Sequence, residues 1–214
     1  MIEIGPHENR LQAPAVQKNQ EPIREVLKEF LPASGTVLEL ASGSGEHIIH
    51  FAENLPDLTW LPSEIDPAAL ASIEAWRQYA NFSNIHTPIT LDVTSNIWAL
   101  PETTGELVGI LAINLIHIAP WEACEGLMRG SASRLPTNGI LYLYGPYKRS
   151  GRHTAPSNHS FDKLLRRHDP EWGVRNLDSV IDFCRHFDLA LDQIVEMRSN
   201  NLSMILRNFR EGNG

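Results

Sequence analysis

Two acidic side chains and two glycines carry the clearest chemical signal in this chain of 214 residues. Glu39 stands just before the small-residue turn Ala41-Ser42-Gly43-Ser44-Gly45, and Glu64 follows about 20 residues after that turn, the distance at which the next strand of a βαβ unit delivers a carboxylate to ribose hydroxyls. Glycines at 43 and 45 remove Cβ atoms that would hold a ligand away from the main chain, so the turn can touch a nucleoside or amino-acid moiety directly. The two oxygens of Glu64 match a pair of vicinal hydroxyls. A dinucleotide fingerprint needs a third glycine, and counting from Gly43 that place is taken by Ile48. Nicotinamide binding is therefore disfavoured.

The elements that must hold these residues are legible from periodicity. Val37, Leu38 and Leu40 form a short apolar strand, and Ile48, Ile49, Phe51 and Ala52 resume at helical spacing. The pattern predicts a first helix from about Pro14 or Asn19 to Phe30, strands over 36–40, 59–63, 89–92, 107–114 and 140–144, and helices over 45–54 and 121–135. Asp66-Pro67 reads as a helix cap followed by a first-turn proline. A long loop is expected over 145–160, then a short helix over 161–168, a longer one over 177–187, and two final strands over 189–197 and 202–208 joined by a turn at 199–201. Strands that alternate with helices indicate an α/β sheet covered on both faces.

Glu39-x-Ala41-x-Gly43-x-Gly45 followed by Ser63-Glu-Ile-Asp-Pro67 resembles the first two motifs of class I S-adenosylmethionine-dependent methyltransferases. The third element of that family fits the segment ending Leu91-Asp92-Val93, and the fourth fits Leu107 to Ile118. Ala41 replaces the first glycine of the usual acid-x-Gly-x-Gly-x-Gly pattern. More narrowly, the entrance Arg10-Leu-Gln-Ala-Pro-Ala-Val-Gln-Lys-Asn-Gln-Glu-Pro22, the Asn114-Leu-Ile-His-Ile-Ala-Pro-Trp121 segment and Tyr144-Gly-Pro-Tyr147 resemble a little-characterised methyltransferase-like group catalogued as a domain of unknown function. The likeness spans roughly residues 10 to 208.

What the resemblance implies is a Rossmann-like three-layer sandwich with a mostly parallel seven-stranded sheet whose last strand is antiparallel, and S-adenosyl-L-methionine as cofactor. Glu39 would organise the turn near the positive methionine end, with Ala41, Ser42, Gly43 and Gly45 around it. Glu64 and Ile65 would lie at the ribose, Asp92 at the adenine amino group and Val93 near its ring. Ser42 and Asn114 would contact the methionine part, and Asn19 at the amino-terminal entrance would reach the cofactor as well.

Methyl transfer from a sulfonium is an in-line displacement, so alignment of donor carbon and acceptor supplies most of the acceleration. Where the acceptor must lose a proton, a positioned histidine is the expected helper. His117, just past the fourth strand, is the catalytic candidate, with capping of the strand or hydrogen bonding within the loop as its structural alternative. Tyr147, His153 and Asn158 are candidates to line an acceptor pocket in a loop-rich region of about 145–176, since substrates of open α/β sheets sit at the carboxyl ends of the strands. His47 and His50 share a helix face, yet no cysteine pair or H-E-x-x-H accompanies them, so no metal is expected. No G-x-S-x-G elbow supports hydrolase chemistry.

Composition sets the remaining bounds. A hydrophobic fraction of 42% is ordinary for a globular protein, and 214 residues suit one domain spanning 1–214. Cys124 and Cys184 read as packed small hydrophobes, and a reducing cytoplasm is the expected location. The apolar run Leu107–Trp121 is broken by Asn114, His117 and Pro120 and is too short to span a bilayer. A net charge of −8 without a long basic run argues against nucleic-acid partners. The one basic cluster, Lys148, Arg149 and Arg152, either holds an anion or solvates a loop. The function expected is methyl transfer to a small-molecule or protein acceptor. The alternatives are a regulatory protein that binds the cofactor without methyl transfer and a nucleotide-dependent oxidoreductase. The Asn-Leu-Ile-His segment lacks the signature of enzymes that methylate planar amide or base nitrogens.

Overall fold

Gly35–Leu40 is buried from its second residue onward, its Val37, Leu38 and Leu40 forming a strand with apolar cover; this is β1 in the computed structural model, which describes residues 9–209. The outermost residues of the expected 1–214 domain lie outside the described residues. Seven strands form the main sheet in the order β3-β2-β1-β4-β5-β9-β8, where β2 is Leu58–Glu64, β3 Ile89–Thr90, β4 Leu107–Ile113, β5 Ile140–Pro146, β8 Leu189–Glu196 and β9 Asn201–Asn208. The last strand, β9, runs antiparallel to both β5 and β8, as the resemblance implied. The chain divides into two compact units, one of residues up to Asp92 with Ala99–Val108, the other of Val93–Trp98 with residues from Gly109 onward.

In the first unit, β1 pairs in parallel with β2 from Gly35↔Leu58 to Glu39↔Pro62, and β2 with β3 at Ser63↔Ile89 and Glu64↔Thr90. This register brings Glu39 and Glu64 to the carboxyl ends of neighbouring strands. Helices α1 (Val16–Phe30), α2 (Glu46–Asn54) and α3 (Pro67–Ala80) accompany them. Val16, Asn19, Ile23, Val26 and Leu27 form the buried stripe of α1 at three- and four-residue spacing. Phe51 of α2 packs on Trp60 of β2 with ring centroids 5.4 Å apart, and both rings are fully buried. Asp66 caps α3 as its position before Pro67 suggested: its carboxylate accepts from the backbone N–H groups of Ala68 and Ala69 at 2.6 and 3.2 Å.

In the second unit, β4 pairs in parallel with β5 from Gly109↔Ile140 to Ile113↔Tyr144. Helix α4 (Trp121–Arg134) and helix α6 (Leu177–Arg185) supply Leu127, Met128, Val180 and Cys184 to the core. Cys124 and Cys184 are free, and burial pushes both thiols up to about 12, the chemistry of packing residues.

The expected loop over 145–160 is corrected. Strand β5 continues to Pro146, a hairpin follows with β6 (Lys148–Arg149) and β7 (Arg152–His153), and α5 spans Pro156–His168. Ser150 and Gly151 both have positive φ, 49° and 73°, which is what a two-residue hairpin turn matched to strand twist requires. Pro156 opens α5 at its first turn, five residues earlier than the apolar spacing alone suggested.

Candidate functional site

The turn after β1 is built by backbone conformations that few side chains tolerate. Ala41, Gly43 and Gly45 have φ of 52°, 57° and 91°. The two glycines serve different ends. A Cβ on Gly43 would meet nothing within 4 Å, so its face of the turn is open; a Cβ on Gly45 would lie 2.9 Å from the Cα of Ile73, so Gly45 lets the start of α2 press against α3. The space expected beside the glycines is thus open at Gly43, while at Gly45 the missing Cβ serves the packing of α2 on α3.

Glu64 organises this turn. Its Oε2 accepts from the Gly43 N–H at 3.0 Å and its Oε1 from the Ile65 N–H at 2.8 Å, leaving each oxygen with a second accepting position. Ile65 itself is 61% exposed. The Ser42 hydroxyl is engaged within the protein, donating to the Glu39 carbonyl and accepting from the Ser63 N–H, both at 3.3 Å, while the Ser63 hydroxyl donates to the same carbonyl at 2.8 Å. These bonds stitch the end of β1 to the end of β2.

Glu39 is the electrostatic centre of the first unit. It is buried, its Oε2 has no hydrogen-bond partner, and burial together with the Glu64 charge pushes its carboxyl up to about 8, with the nearby Ser42 hydroxyl pulling it down. Asp92 is exposed two residues beyond the end of β3. Asn19 is committed to α2: its Oδ1 accepts from the His47 Nε2–H at 2.9 Å, and His47, held down at about 4 by burial first and by His50 second, is neutral. His50 faces Glu21 at 3.1 Å. The two histidines that share a helix face therefore have separate carboxamide and carboxylate partners.

The second unit gathers Asn114, His117, Gly145 and Tyr147. Asn114 stands at the end of β4 with φ 61°, its N–H donates to the Tyr144 carbonyl at 2.8 Å, and its own carbonyl accepts from the His117 N–H at 3.0 Å. His117 is fully buried. Its carbonyl accepts from the Gly173 N–H at 2.9 Å, its Nδ1 accepts from the Arg175 N–H at 3.5 Å, and its ring meets the Tyr147 ring edge-on at 5.0 Å. Burial, with Arg175 adding to it, lowers its pKa to about 3. Nδ1 is thus the accepting nitrogen and the proton resides on Nε2. That tautomer, wholly enclosed, is a poor proton acceptor near neutral pH, so the geometry gives no support to a role as catalytic base.

Tyr147 is likewise fully buried, its hydroxyl has no partner, and burial raises its pKa well above the ordinary value. Asn158 is buried and donates to the Thr154 hydroxyl at 3.1 Å and the Asn200 carbonyl at 3.0 Å. His153 lies 3.2 Å from Asp162, which also receives Lys148 at 3.0 Å, Arg166 at 3.3 Å and the Val174 N–H at 2.7 Å. Arg149 pairs with Glu196. Of the basic cluster, Lys148 and Arg149 are therefore bound within the protein, and Arg152 is exposed. Val93 is buried, with its carbonyl accepting from the Trp98 indole at 3.3 Å.

Residues 10–208 match the family described as "Protein of unknown function (DUF938)". The chain belongs to that family. Solved structures similar to this DUF938 chain include an O-methyltransferase family protein from Burkholderia thailandensis, 15% identical, TM-score 0.74, covering 91% of this chain and 57% of that one. An O-methyltransferase family 2 protein from Planctomyces limnophilus DSM 3776, in complex with apigenin, is 16% identical with TM-score 0.72, over 90% of this chain and 59% of that one. CalO1, a methyltransferase in calicheamicin biosynthesis in its SAH-bound form, is 14% identical with TM-score 0.69, over 90% and 55%. The likeness at these identities is one of fold, that of class I S-adenosylmethionine-dependent methyltransferases. The DUF938 chain spans a little over half the length of the structures it matches.

Several residues of this DUF938 member that shape the site were given no role by the motifs. Ser63 anchors the Glu39 carbonyl from the neighbouring strand. Arg175 donates to the carbonyls of Ile116 at 2.8 Å, Ala119 at 2.7 Å and Glu171 at 3.0 Å, and so holds the turn that carries His117. Glu46 at the first position of α2 accepts from the Ala13 N–H at 2.6 Å and the Ser44 hydroxyl at 2.9 Å. For Glu46 alone a cue existed, since an acid in the first turn of a helix is a common amino-terminal partner. Among the described residues, no helix is long and apolar enough to cross a membrane.

Proposed function

We propose that this chain is an S-adenosylmethionine-dependent methyltransferase acting on a small-molecule or protein acceptor. The observation that carries the reading is Glu39, a buried acid with an unpartnered oxygen beside a turn whose Gly43 face is open. A buried carboxylate without a counter-charge is costly, and a cationic ligand group is what relieves it. The methionine end of the donor offers such a group, so the residues present fit it.

When bound, S-adenosylmethionine supplies an electrophilic methyl carbon on a sulfonium. The chain's own work is to seat and align. Glu39 balances the positive end, Gly43 lets the main chain approach, and Glu64 uses the accepting positions left free by the Gly43 and Ile65 N–H groups to take ribose hydroxyls. Ile65 is assigned to the ribose beside Glu64, Asp92 to the adenine amino group with Val93 near the ring, and Asn114 to the methionine part. Alignment without a histidine base at 117 suits an acceptor that is nucleophilic once positioned. The fold shared with methyltransferases, one of them described with SAH bound, supports this reading.

Calorimetric titration with S-adenosylhomocysteine and with NAD tests it. The expected result is binding of S-adenosylhomocysteine, weakened roughly tenfold or more in Glu64→Ala, in line with loss of charge-assisted hydrogen bonds. Binding of NAD alone would overturn it. Release of S-adenosylhomocysteine from S-adenosylmethionine over an acceptor panel then identifies the acceptor class.

A further inference from the structure

The segment Arg10–Ala13 is tied to the walls of the Gly43 turn by hydrogen bonds. The Leu11 N–H donates to the Ser72 hydroxyl at 2.8 Å, and that hydroxyl donates in turn to the Ser44 carbonyl at 2.7 Å. The Ala13 N–H donates to Glu46 Oε2 at 2.6 Å, the oxygen that also accepts from the Ser44 hydroxyl at 2.9 Å. Two side chains from two helices, Ser72 of α3 and Glu46 of α2, thus each bridge the segment to the same turn residue. The Trp76 indole donates to the Leu11 carbonyl at 2.9 Å, and the Arg10 guanidinium lies 4.7 Å from the Trp76 ring centre and 3.9 Å from that of Tyr79.

This arrangement is unlike an apolar docking. Leu11 is 49% exposed, so burial of its side chain does not hold the segment. Besides the Trp76 and Tyr79 contacts, a pair of hydrogen-bond relays ties it to the carbonyl and the hydroxyl of Ser44, between the two glycines of the turn. Ser72 is fully buried and uses its one hydroxyl as acceptor and donor at once, so the relay has a direction and its single donor proton is committed to Ser44. Displacing Ser44 breaks both bridges at the turn, and releasing residues 11–13 breaks them at the segment.

We propose that Glu46 and Ser72 are positioning residues of the donor site, which couple residues 10–13 to the Gly43 turn so that the segment is a working part of that site. The inference rests on the reading of the turn as the S-adenosylmethionine cradle. Ligand seated on the turn fixes Ser44 and through it the segment, and the seated segment slows ligand departure.

Hydrogen exchange of the full chain with and without S-adenosylhomocysteine, and stopped-flow dissociation of that ligand, provide the test. The expected results are slower exchange at the Leu11 and Ala13 amides when ligand is bound, and dissociation about tenfold faster in Glu46→Ala and in Ser72→Ala. Glu46→Gln, which keeps an accepting oxygen, restores the slow rate. A purely structural role would lower the unfolding midpoint of these variants and leave ligand dissociation unchanged, and that outcome overturns the proposal. Unchanged exchange at both amides in the wild-type chain with ligand bound overturns it without any variant. If the wild-type chain binds no S-adenosylhomocysteine, the reading of the cradle itself fails, a result distinct from either.

Discussion

Gly145 and His117 share the space of one side chain: a Cβ built on Gly145 would stand 2.4 Å from His117 Nε2 and 3.1 Å from Asn114 Oδ1. The strand β5 thus leaves out a side chain where the turn after β4 folds its imidazole inward. The enclosed ring, bound at Nδ1 by the Arg175 N–H, follows from that omission.

Gly145→Ala forces the ring or the strand to move. Overpacking of a tight core costs about 1–3 kcal/mol, so urea unfolding should show a loss of that order. In a His117→Ala background the same substitution has room, and the cost should largely vanish. A double-mutant cycle that returned simple additivity would refute the contact as the cause.

Ala41 occupies left-handed space that glycine enters freely. That conformation costs an alanine roughly 1–2 kcal/mol, while replacing alanine by glycine loses about 0.4–1 kcal/mol through the freer unfolded chain. Ala41→Gly should therefore stabilise the protein by about 0.5–1 kcal/mol in denaturant unfolding, and Ala41→Val should destabilise it.

The turn after β1 and its acidic neighbours are legible in the sequence because their signals are local: an apolar strand, glycines where φ is positive, an acid at the end of the next strand. The last strand's antiparallel direction comes through resemblance, since periodicity carries no direction. Residues 145–160 read as a loop because Gly, Pro, Ser and His are common there, yet Ser150-Gly151 is a hairpin turn and Pro156 a helix start. His117 and Tyr147 are legible as residues of interest but not as buried ones, since enclosure depends on Gly145 and Arg175, 28 and about 58 positions away by sequence count. Glu46, Ser72 and Ser63 act through relays that single-chain spacing does not encode.

Acid should weaken the fold through two histidines. Burial holds His117 at about 3 and His47 at about 4, while their unfolded counterparts protonate near 6.5. Between those values the unfolded chain binds more protons, so stability is greatest above 6.5 and falls as pH drops toward 4. Heteronuclear NMR of the imidazole nitrogens should find His117 neutral, with its proton on Nε2, throughout pH 5 to 8. A protonated ring at pH 6 would be incompatible with the enclosed geometry.

Glu39 should act in the opposite sense across a different window. Its folded pKa, about 8, lies above the ordinary 4.5, chiefly through burial and secondarily through the neighbouring charge of Glu64. Between 4.5 and 8 the folded state holds the extra proton, so stability relative to a non-titrating control falls as pH rises through that range. Glu39→Gln is the control: its advantage over the wild type should be small near pH 4.5 and grow toward pH 8, reaching a few kcal/mol, because each tenfold change in proton affinity on folding is worth about 1.4 kcal/mol. Paired urea titrations at pH 5 and pH 8 measure the difference directly. A gap that stayed constant with pH would mean that Glu39 ionises freely in the folded protein, and the case for a cationic ligand group beside Gly43 would lose its main support.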